Sequence, residues 1–420
     1  MRVKDIAAFF KFLHGIAARA LVVRMGIVGL NFLVMMGLAW FLGIDLFGQL
    51  IVIWGLALIG SSILSVGAPL MLLRALSDGG RMTVGAVVYH LFLYPTALAA
   101  VGWVVLPLIF PALPWLPILA VAFGIHLITC LTSIMRSLGS VDWSMALRDA
   151  GPLLALGLAA LIWAENSATI MIAAAFILAV FAGTAVCFCL VHPDRNTLIR
   201  TDGPREPIAM SMWGTSLLGM LLAQVDIVVG GAFLSDEQIG LYALLRRLTN
   251  LVVLPVSVAT WVSSVPIAKA FGGEDRIGLI RAAARANQIA VFPGLLLMGC
   301  AICALIVAQW FAIGPESTTV CLVLLAGALV QLGLAATFTV ATLCDLAFFA
   351  GLARLSSLVI YLLLVMSVPV ITPTINAVAY VTAISVGSWI LWSVVRHKHG
   401  IDTSILPVVI NRWGGSWKQS

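Results

Sequence analysis

The chain has 420 residues, of which 62% are apolar and only 10% are charged, and its net charge is +6. Soluble domains average about 45–50% apolar and about 25% charged residues, so the composition excludes an ordinary soluble protein and predicts an all-α polytopic membrane protein. The positive charge implies no nucleic-acid partner, because basic cytoplasmic loops and their attraction to membrane lipids account for it.

Apolar stretches long enough to cross a bilayer, at about 20 residues each, recur along the whole chain and predict about twelve transmembrane helices. In chain order these predicted spans are 20–42, 47–72, 82–109, 115–134, 144–163, 168–191, 208–234, 240–267, 288–313, 318–343, 355–371 and 374–395. The connections on one side are only a few residues long, so neighbouring spans are expected to form tight hairpins.

Basic residues are confined to alternate connections and to the two ends of the chain, and the other connections have none. All 23 Lys and Arg residues obey this pattern except Arg246 and Arg247, which fall inside a predicted span. By the positive-inside rule, both termini are expected to be cytoplasmic.

Two segments outside the spans have apolar residues at helical spacing among basic ones. These segments, 1–19 and 276–288, are predicted to be helices lying on the membrane surface.

The most polar stretch, 192–207, lies at the midpoint and divides six predicted spans from six. Residues 41–48 are similar to residues 233–240, and each is followed by a span with a proline near its inner end, Pro69 or Pro266. We therefore predict two six-helix lobes, 1–191 and 208–395, joined by a cytoplasmic linker and followed by a cytoplasmic tail, 396–420. A pseudo-two-fold axis along the membrane normal would relate the lobes and place a site between them.

The run 224–248, QVDIVVGGAFLSDEQIGLYALLRRL, followed by Pro266, resembles the hairpin of spans 7 and 8 in polysaccharide (Wzx-type) flippases of the multidrug/oligosaccharidyl-lipid/polysaccharide exporter superfamily. The six-plus-six layout extends the resemblance over essentially the whole chain. It implies a transporter of the bacterial inner membrane that flips a polyprenyl-diphosphate-linked oligosaccharide by alternating access, for O-antigen or exopolysaccharide synthesis. Polysaccharide polymerase and chain-length machinery would be its protein partners.

Ionisable residues at membrane depth cost about 2.5–3.5 kcal/mol each on insertion scales, so each needs a partner or a water-filled cavity. Asp226 and Arg246 are expected about 12 and about 9 Å below the outer surface of adjacent antiparallel spans, where they can pair. Asp226 is thus either a structural ion-pair partner or a coupling group. Arg246 and Arg247 point about 100° apart, so one carboxylate cannot satisfy both, and the other guanidinium is a candidate phosphate ligand.

Arg24 lies one turn inside span 1, with Asn31 seven residues later on the same helix face. It either extends to inner-leaflet phosphates or lines the cavity, and the resemblance implies a basic residue on span 1 that receives the lipid diphosphate. Gln224, Gln331 and Thr337 are candidate partners for sugar hydroxyls. His90 and His126 are expected to bond neighbouring helices rather than to relay protons.

A cation-coupled drug exporter of the same superfamily is the first alternative. It would need carboxylates deep in the first lobe, whereas the acidic residues there are expected at or near span ends; these are Asp5, Asp45, Asp78, Asp142, Asp149 and Glu165.

A polysaccharide polymerase or ligase is the second alternative. The outer connections are short, and the sequence offers no nucleophile, phosphate-binding glycine loop or cofactor site. Cys300 and Cys303 have metal-ligand spacing but no second ligand pair, so neither a metal nor an enzymatic activity is expected.

Overall fold

The computed structural model describes residues 16–77, 82–192, 199–200, 210–309 and 314–406. These ranges are helical apart from connections and one short parallel pairing, of β1 (Met82–Thr83) with β2 (Ile199–Arg200). Most of the predicted surface helix 1–19 and of the predicted linker 192–207 lies outside the described residues.

The chain divides by internal packing into two compact units, Met1–Gly240 and Leu241–Ser420. The helices of the first unit are α1 (Ile16–Leu42), α2 (Ile44–Ser65), α3 (Ala68–Ser77), α4 (Val84–Val88), a π-helical turn (Tyr89–Leu93), α5 (Tyr94–Ile109), α6 (Trp115–Ser137), α7 (Val141–Asp149), α8 (Gly151–Ile162), α9 (Ser167–Val191) and α10 (Met210–Gly230).

The helices of the second unit are α11 (Asp236–Gly272), which begins in the first unit, α12 (Arg276–Gln309), α13 (Pro315–Gly333), α14 (Thr337–Leu343), α15 (Ala347–Met366) and α16 (Pro373–His399). Among the described residues, 11 helical stretches are long and apolar enough to cross a membrane, and the bent pair α7 and α8 raises the number to 12. The prediction of an all-α membrane protein of about twelve spans is confirmed.

Several predicted spans are interrupted where the sequence prediction had one helix. The second span ends at Ser65, because Val66 (φ 38°) and Gly67 (φ 76°) adopt left-handed backbone conformations before α3 begins. A β-branched residue such as Val66 is strained there. The fifth span is bent by 46° between α7 and α8.

The prediction of a separate surface helix at 276–288 is wrong, because α12 is continuous from Arg276 to Gln309. Leu279, Ala283 and Ala286 on its apolar face are buried in the core of the second unit, while Arg281 and Arg285 are exposed. The amphipathic pattern is therefore explained by packing against protein.

The first compact unit extends past the predicted linker because α10 packs tightly on α2. The ideal Cβ position at Gly55 is 3.0 Å from Val228 Cγ2, and the one at Gly231 is 2.4 Å from Val52 Cγ2. Gly48 on α2 lies against the backbone of Asp236 at the start of α11. The two compact units are defined by packing, whereas the predicted lobes are defined by an internal repeat. The lobe boundary predicted at 192–207 therefore stays a prediction.

Residues 400–406, part of the predicted tail 396–420, are packed into the second unit. Ile401 is 2% exposed and Thr403 is fully buried. Asn287 of α12 donates to the carbonyls of Thr403 and Ser404, both at 2.9 Å, and accepts from the backbone N–H of Ala336 at 3.0 Å. The segment therefore supports the break between α13 and α14.

Candidate functional site

A cluster of charged and amide side chains lies where α1 meets α7 in the first unit. Arg148 donates to both carboxylate oxygens of Asp149, from Nε at 2.7 Å and from Nη2 at 3.1 Å. Asn31 Nδ2 on α1 donates to the backbone carbonyl of Asp149 at 2.8 Å. Arg24 is on the same face of α1 and interacts electrostatically with Asp149 and Arg148. We call these four residues the first-unit cluster.

The bend between α7 and α8 follows from Pro152. Proline has no N–H, so the Arg148 carbonyl loses its helical donor, and helices kink at such positions. The bend leaves Asp149 at the end of the nine-residue α7. Asp149 is therefore about 12 Å along the bent span. The prediction that all first-lobe carboxylates lie near span ends stays a prediction, because helix length alone sets no membrane boundary for Asp149.

The first-unit cluster has a surplus of positive charge, because Arg24 and Arg148 face one carboxylate. The positive charge of Arg136 on α6 also interacts electrostatically with Arg148. The Oδ1 atom of Asn31 is buried and, among the described residues, has no hydrogen-bond partner. An anion whose hydroxyl groups can donate to this oxygen matches the cluster chemically.

A pocket in the second unit contains two of the predicted binding residues, Arg246 and Gln331. It is formed by α11, α13 and α16 and is lined by Arg246, Thr249, Val253, Leu324, Gly327, Ala328, Gln331, Tyr380, Val381 and Ile384.

Arg246 is fixed in this pocket by three contacts. Nη1 donates to Asn250 one turn later, and Nη2 donates to the hydroxyl of Tyr380. The guanidinium carbon also lies 4.3 Å from the centre of the Tyr380 ring, a cation–π distance.

The Tyr380 ring is supported in turn by a second polar pair. Tyr361 meets it edge-on, with ring centres 6.3 Å apart, and its hydroxyl donates to Asn376 Oδ1 at 2.6 Å. The pocket thus presents a positioned cation, a phenol and the amide of Gln331, a set that can bind phosphate or sugar hydroxyl groups.

The remaining predicted site residues have different surroundings. Gln224 and Asp226 are buried in α10 of the first unit, and the Gln224 side chain packs across Gly55. Arg247 is half-buried. The predicted pairing of Asp226 with Arg246 joins residues of different units and stays a prediction. Thr337 bonds the Thr403 hydroxyl at 2.9 Å, which assigns it to the support of α14.

The two predicted buried histidines meet within the first unit. His126 is fully buried on α6, and its Nε2 lies 3.2 Å from the backbone carbonyl of His90 in the π-helical turn. Its Nδ1 lies 3.1 Å from the hydroxyl of Ser65 at the end of α2. His126 therefore bonds neighbouring helices, as expected from the sequence.

Sequence reasoning missed the partners of the predicted residues. Arg148 and Asp149 are expected near a span end, and Asn250, Asn376 and Tyr380 are not among the predicted site residues. A usable signal was present, because Arg246 with Asn250, and Asn376 with Tyr380, are polar pairs four residues apart in otherwise apolar helices and so share a helix face.

Comparisons with known proteins identify the fold. No protein-family model matches the chain, and no curated protein matches it. Solved structures do. A MATE multidrug transporter, DinF-BH, aligns with a TM-score of 0.65 at 14% identity, covering 94% of this chain and 96% of that one.

Two further solved structures have the same architecture. The lipid II flippase MurJ in an inward closed conformation aligns with a TM-score of 0.61 at 14% identity, over 94% of this chain and 93% of that one. A MOP superfamily transporter from Pyrococcus furiosus, described as having a binding pocket of reverse polarity, aligns at 0.57 and 16% identity over 92% and 97%. The chain thus has the fold of these membrane transporters.

Proposed function

We propose that this protein flips a polyprenyl-diphosphate-linked oligosaccharide from the inner to the outer leaflet of a bacterial inner membrane. The product would serve surface polysaccharide synthesis, of O-antigen or exopolysaccharide, with polymerase and chain-length machinery as partners. Both termini would be cytoplasmic. One solved structure of similar fold is that of the lipid II flippase MurJ, and this likeness supports the fold of a flippase and not its substrate.

The first-unit cluster is the observation that carries this proposal. A diphosphate needs guanidinium groups, which bind phosphate oxygens bidentately. Arg148 is held by Asp149, so we assign the phosphate to Arg24, beside that pair on α1. The buried Asn31 Oδ1 would accept a hydrogen bond from the first sugar.

The second-unit pocket supplies chemistry suited to the glycan and its phosphate. Gln331 can both donate and accept, the ring of Tyr380 is amphipathic, and Arg246 provides a fixed charge. We also propose that Arg247 and Gln224 contact the substrate. Arg247 is a charged residue in a membrane helix and would bind phosphate, and Gln224 is an amide on α10 that would bind sugar hydroxyl groups.

Cation-coupled export of a small molecule is the second candidate. The fully buried Asp226 favours it, since a carboxylate can bind a cation, and Asp149 at the bend of the fifth span is a second carboxylate. The likeness to a MATE multidrug transporter is consistent with it. Both carboxylates have arginines on the same or the following helix in the sequence, and for this reason we prefer an anionic substrate.

The proposed function is tested with the purified full-length protein in proteoliposomes that contain a fluorescent polyprenyl-diphosphate oligosaccharide. We expect the wild-type protein to move the lipid between leaflets, and Arg24→Ala to abolish movement at normal protein level. Arg24→Lys should restore it only in part, because lysine keeps the charge and loses the planar fork. Arg281→Ala, at an exposed arginine of α12, is the matched control and should be neutral.

The alternatives predict other results in the same vesicles. A cation-coupled exporter would tolerate Arg24→Ala and the double change Arg246→Ala/Arg247→Ala, whereas Asp226→Asn would abolish its transport. In cells, loss of the gene should leave lipid-linked oligosaccharide in the inner leaflet. Export of single, unpolymerised repeat units by such cells would instead identify a polymerase.

A further inference from the structure

Two of the chain's five tyrosines lie side by side in the first unit. They are Tyr89, at the start of the π-helical turn, and Tyr94, the residue that directly follows the turn. Their ring centres are 6.1 Å apart, and the ring planes are inclined by 34°. We call these two residues the tyrosine pair.

The π-helical turn brings the tyrosine pair together. In an α-helix, side chains five residues apart point about 140° away from each other. Here the Tyr94 N–H donates to the Tyr89 carbonyl, and this i→i+5 hydrogen bond places both residues on nearly the same side of the helix. Pro95 follows without an N–H, and the His90 carbonyl accepts from His126 on α6 at 3.2 Å, so α6 holds the turn in place.

The tyrosine pair lies between a buried face and an exposed face of this helical stretch. His90 and Pro95 are buried on one side. Phe92 and Leu93, on the other side, are 42% and 62% exposed. Both tyrosines are half-buried. The rings of Tyr89 and His90 meet at nearly a right angle with their centres 5.2 Å apart, and this contact orients the Tyr89 ring.

Tyr94 lies at the depth of the hydrocarbon core. The apolar stretch Val84–Ile109 has 26 residues and is about 39 Å long, about 9 Å longer than the hydrocarbon core of a bilayer. Tyr94 is ten residues after Val84 and fifteen before Ile109. Every placement of the core within this stretch therefore includes Tyr94.

The hydroxyl of Tyr94 distinguishes its face from a surface that contacts lipid. Among the residues that the structure describes, this hydroxyl has no hydrogen-bond partner, and its electrostatic neighbour is Tyr89. A hydroxyl group in hydrocarbon finds no water, so an unpaired one is costly there. We therefore expect Tyr94 to face a polar cavity or a ligand.

We propose that the tyrosine pair binds a sugar ring of the lipid-linked oligosaccharide, an inference that rests on the proposed function. The C–H face of a sugar ring packs against an aromatic ring, and sugar hydroxyl groups both donate to and accept from a phenol hydroxyl. Among the described residues, no carboxylate interacts electrostatically with Tyr94, so an aromatic cation would lack a counter-charge there. The first-unit cluster would hold the phosphate, and the tyrosine pair would hold the glycan.

The first test needs no substrate. Solid-state NMR of the full-length protein in lipid bilayers, with labelled tyrosine, can resolve five residues, and Tyr94→Phe assigns the signal of Tyr94. We expect magnetisation to pass from water to the Tyr94 ring. Transfer from lipid acyl chains alone would overturn the inference.

The second test compares two probes that differ only in the glycan. These probes are a polyprenyl-diphosphate oligosaccharide and the same polyprenyl diphosphate without sugar. We expect the NMR signals of Tyr89 and Tyr94 to shift with the first probe and to stay in place with the second. Equal responses to both probes would overturn the assignment to sugar. A response to the aromatic cation tetraphenylphosphonium with none to the glycan would also overturn it, in favour of a small-molecule exporter.

The functional test is flipping of the lipid-linked oligosaccharide in proteoliposomes at several substrate concentrations. Tyr94→Ala removes the ring and the hydroxyl and should raise the half-saturating concentration about tenfold. Tyr94→Phe keeps the ring and should raise it about threefold. Phe92→Ala, on the exposed side of the same turn, is the matched control and should leave it unchanged.

The outcomes separate this inference from the proposed function. Wild-type flipping with an unchanged half-saturating concentration in Tyr94→Ala would leave the flippase in place and overturn the sugar site. Absence of wild-type flipping would overturn the proposed function and the sugar assignment together, and the NMR contact with water would still decide whether Tyr94 faces a cavity. If Tyr94→Ala does not fold, Tyr94→Phe and the NMR shifts decide.

Discussion

At the scale of single residues, buried and half-buried amide and imidazole side chains in this protein bond backbone groups at irregular points of helices. Asn31 bonds the Asp149 carbonyl at the bend of the fifth span, His126 bonds the His90 carbonyl ahead of Pro95, and Asn287 bonds Ala336 at the break before α14. A bilayer core offers no water to such groups, so protein side chains must satisfy them. These side chains therefore stabilise the helix breaks by satisfying the backbone groups that the breaks leave unpaired.

Replacing Asn287 by Ala should destabilise the protein strongly. It removes three buried hydrogen bonds and leaves the Ala336 N–H and the carbonyls of Thr403 and Ser404 without the amide. Each unsatisfied buried group costs about 1–3 kcal/mol. Thermal unfolding in detergent measures the loss. Asn166→Ala, which removes an exposed helix cap, is the control and should cost about 1 kcal/mol; equal losses would contradict the assignment.

Asp402 should make the second unit sensitive to acid. Burial alone would raise the pKa of Asp402, but hydrogen bonds from Trp392 and Ser404 and the charge of Arg396 lower it below its usual 3.8. A carboxyl group whose pKa is lower in the folded chain than in the unfolded chain stabilises the fold at pH values above its unfolded-state pKa. This stabilisation is lost as the pH falls through the folded-state pKa. Between about pH 5 and about pH 3, the unfolding temperature of Asp402→Asn should fall less than that of wild type. Parallel curves would contradict this.

At the scale of elements, the sequence predicted the positions of spans far better than their interruptions. Apolar length determines where a helix crosses a bilayer, and hydropathy records it directly. The break at Ala336 has no comparable signal, and at the break after Ser65 only Gly67 offers one, because Val66 is neither proline nor glycine. They depend on tertiary partners, His126 with Ser65 and Asn287 with residues 403–404, that are distant in sequence.

The candidate site was predictable to a similar extent. The cost of charge in a membrane helix correctly drew attention to Arg24 and Arg246, and Gln331 does share a pocket with Arg246. The tyrosine that fixes Arg246 could not be found in this way, since tyrosine is common in apolar helices and Tyr380 lies 134 positions away. The helix that carries Asp149, α7, begins three residues before the predicted span, since hydropathy does not fix the exact end of a helix.

Gly48 should tolerate no side chain, because α2 and the start of α11 meet there through backbone atoms. A Cβ at Gly48 would lie 1.9 Å from the carbonyl oxygen of Asp236, and the nearby Gln49 side chain bonds the Asp236 carboxylate at 2.8 Å. Overpacking typically destabilises a protein by about 1–3 kcal/mol, and the Asp236 carbonyl, unlike a side chain, cannot rotate away from the added Cβ. Gly48→Ala should therefore lower the yield and melting temperature. Gly37→Ala, with open space around its Cβ, should be neutral; equal behaviour would refute the close crossing.

At the scale of the whole molecule, the distribution of basic residues makes a prediction about orientation. Cysteines introduced at Gly43, Ala112, Asn166, Ser235 and Thr372 should react with membrane-impermeant reagents from outside the cell. Cysteines at Asp78, Thr201 and Gly273 should react only from inside, because their connections carry the Lys and Arg residues. Labelling of Thr201 from outside would overturn both the orientation and the predicted division into two lobes.

The buried position of residues 401–404 has a consequence for biosynthesis. A ribosome makes these residues after every described helix that they contact, so Asn287 and the break before α14 lack these partners until residues 403 and 404 are made. Chains generally fold from the N-terminus during synthesis, and the second unit can complete this packing only after those residues are present. A chain that stops before residue 403 would leave the amide of Asn287 and the hydroxyl of Thr337 without their partners in residues 403 and 404. Membrane proteases can recognise such a defect and degrade the truncated protein.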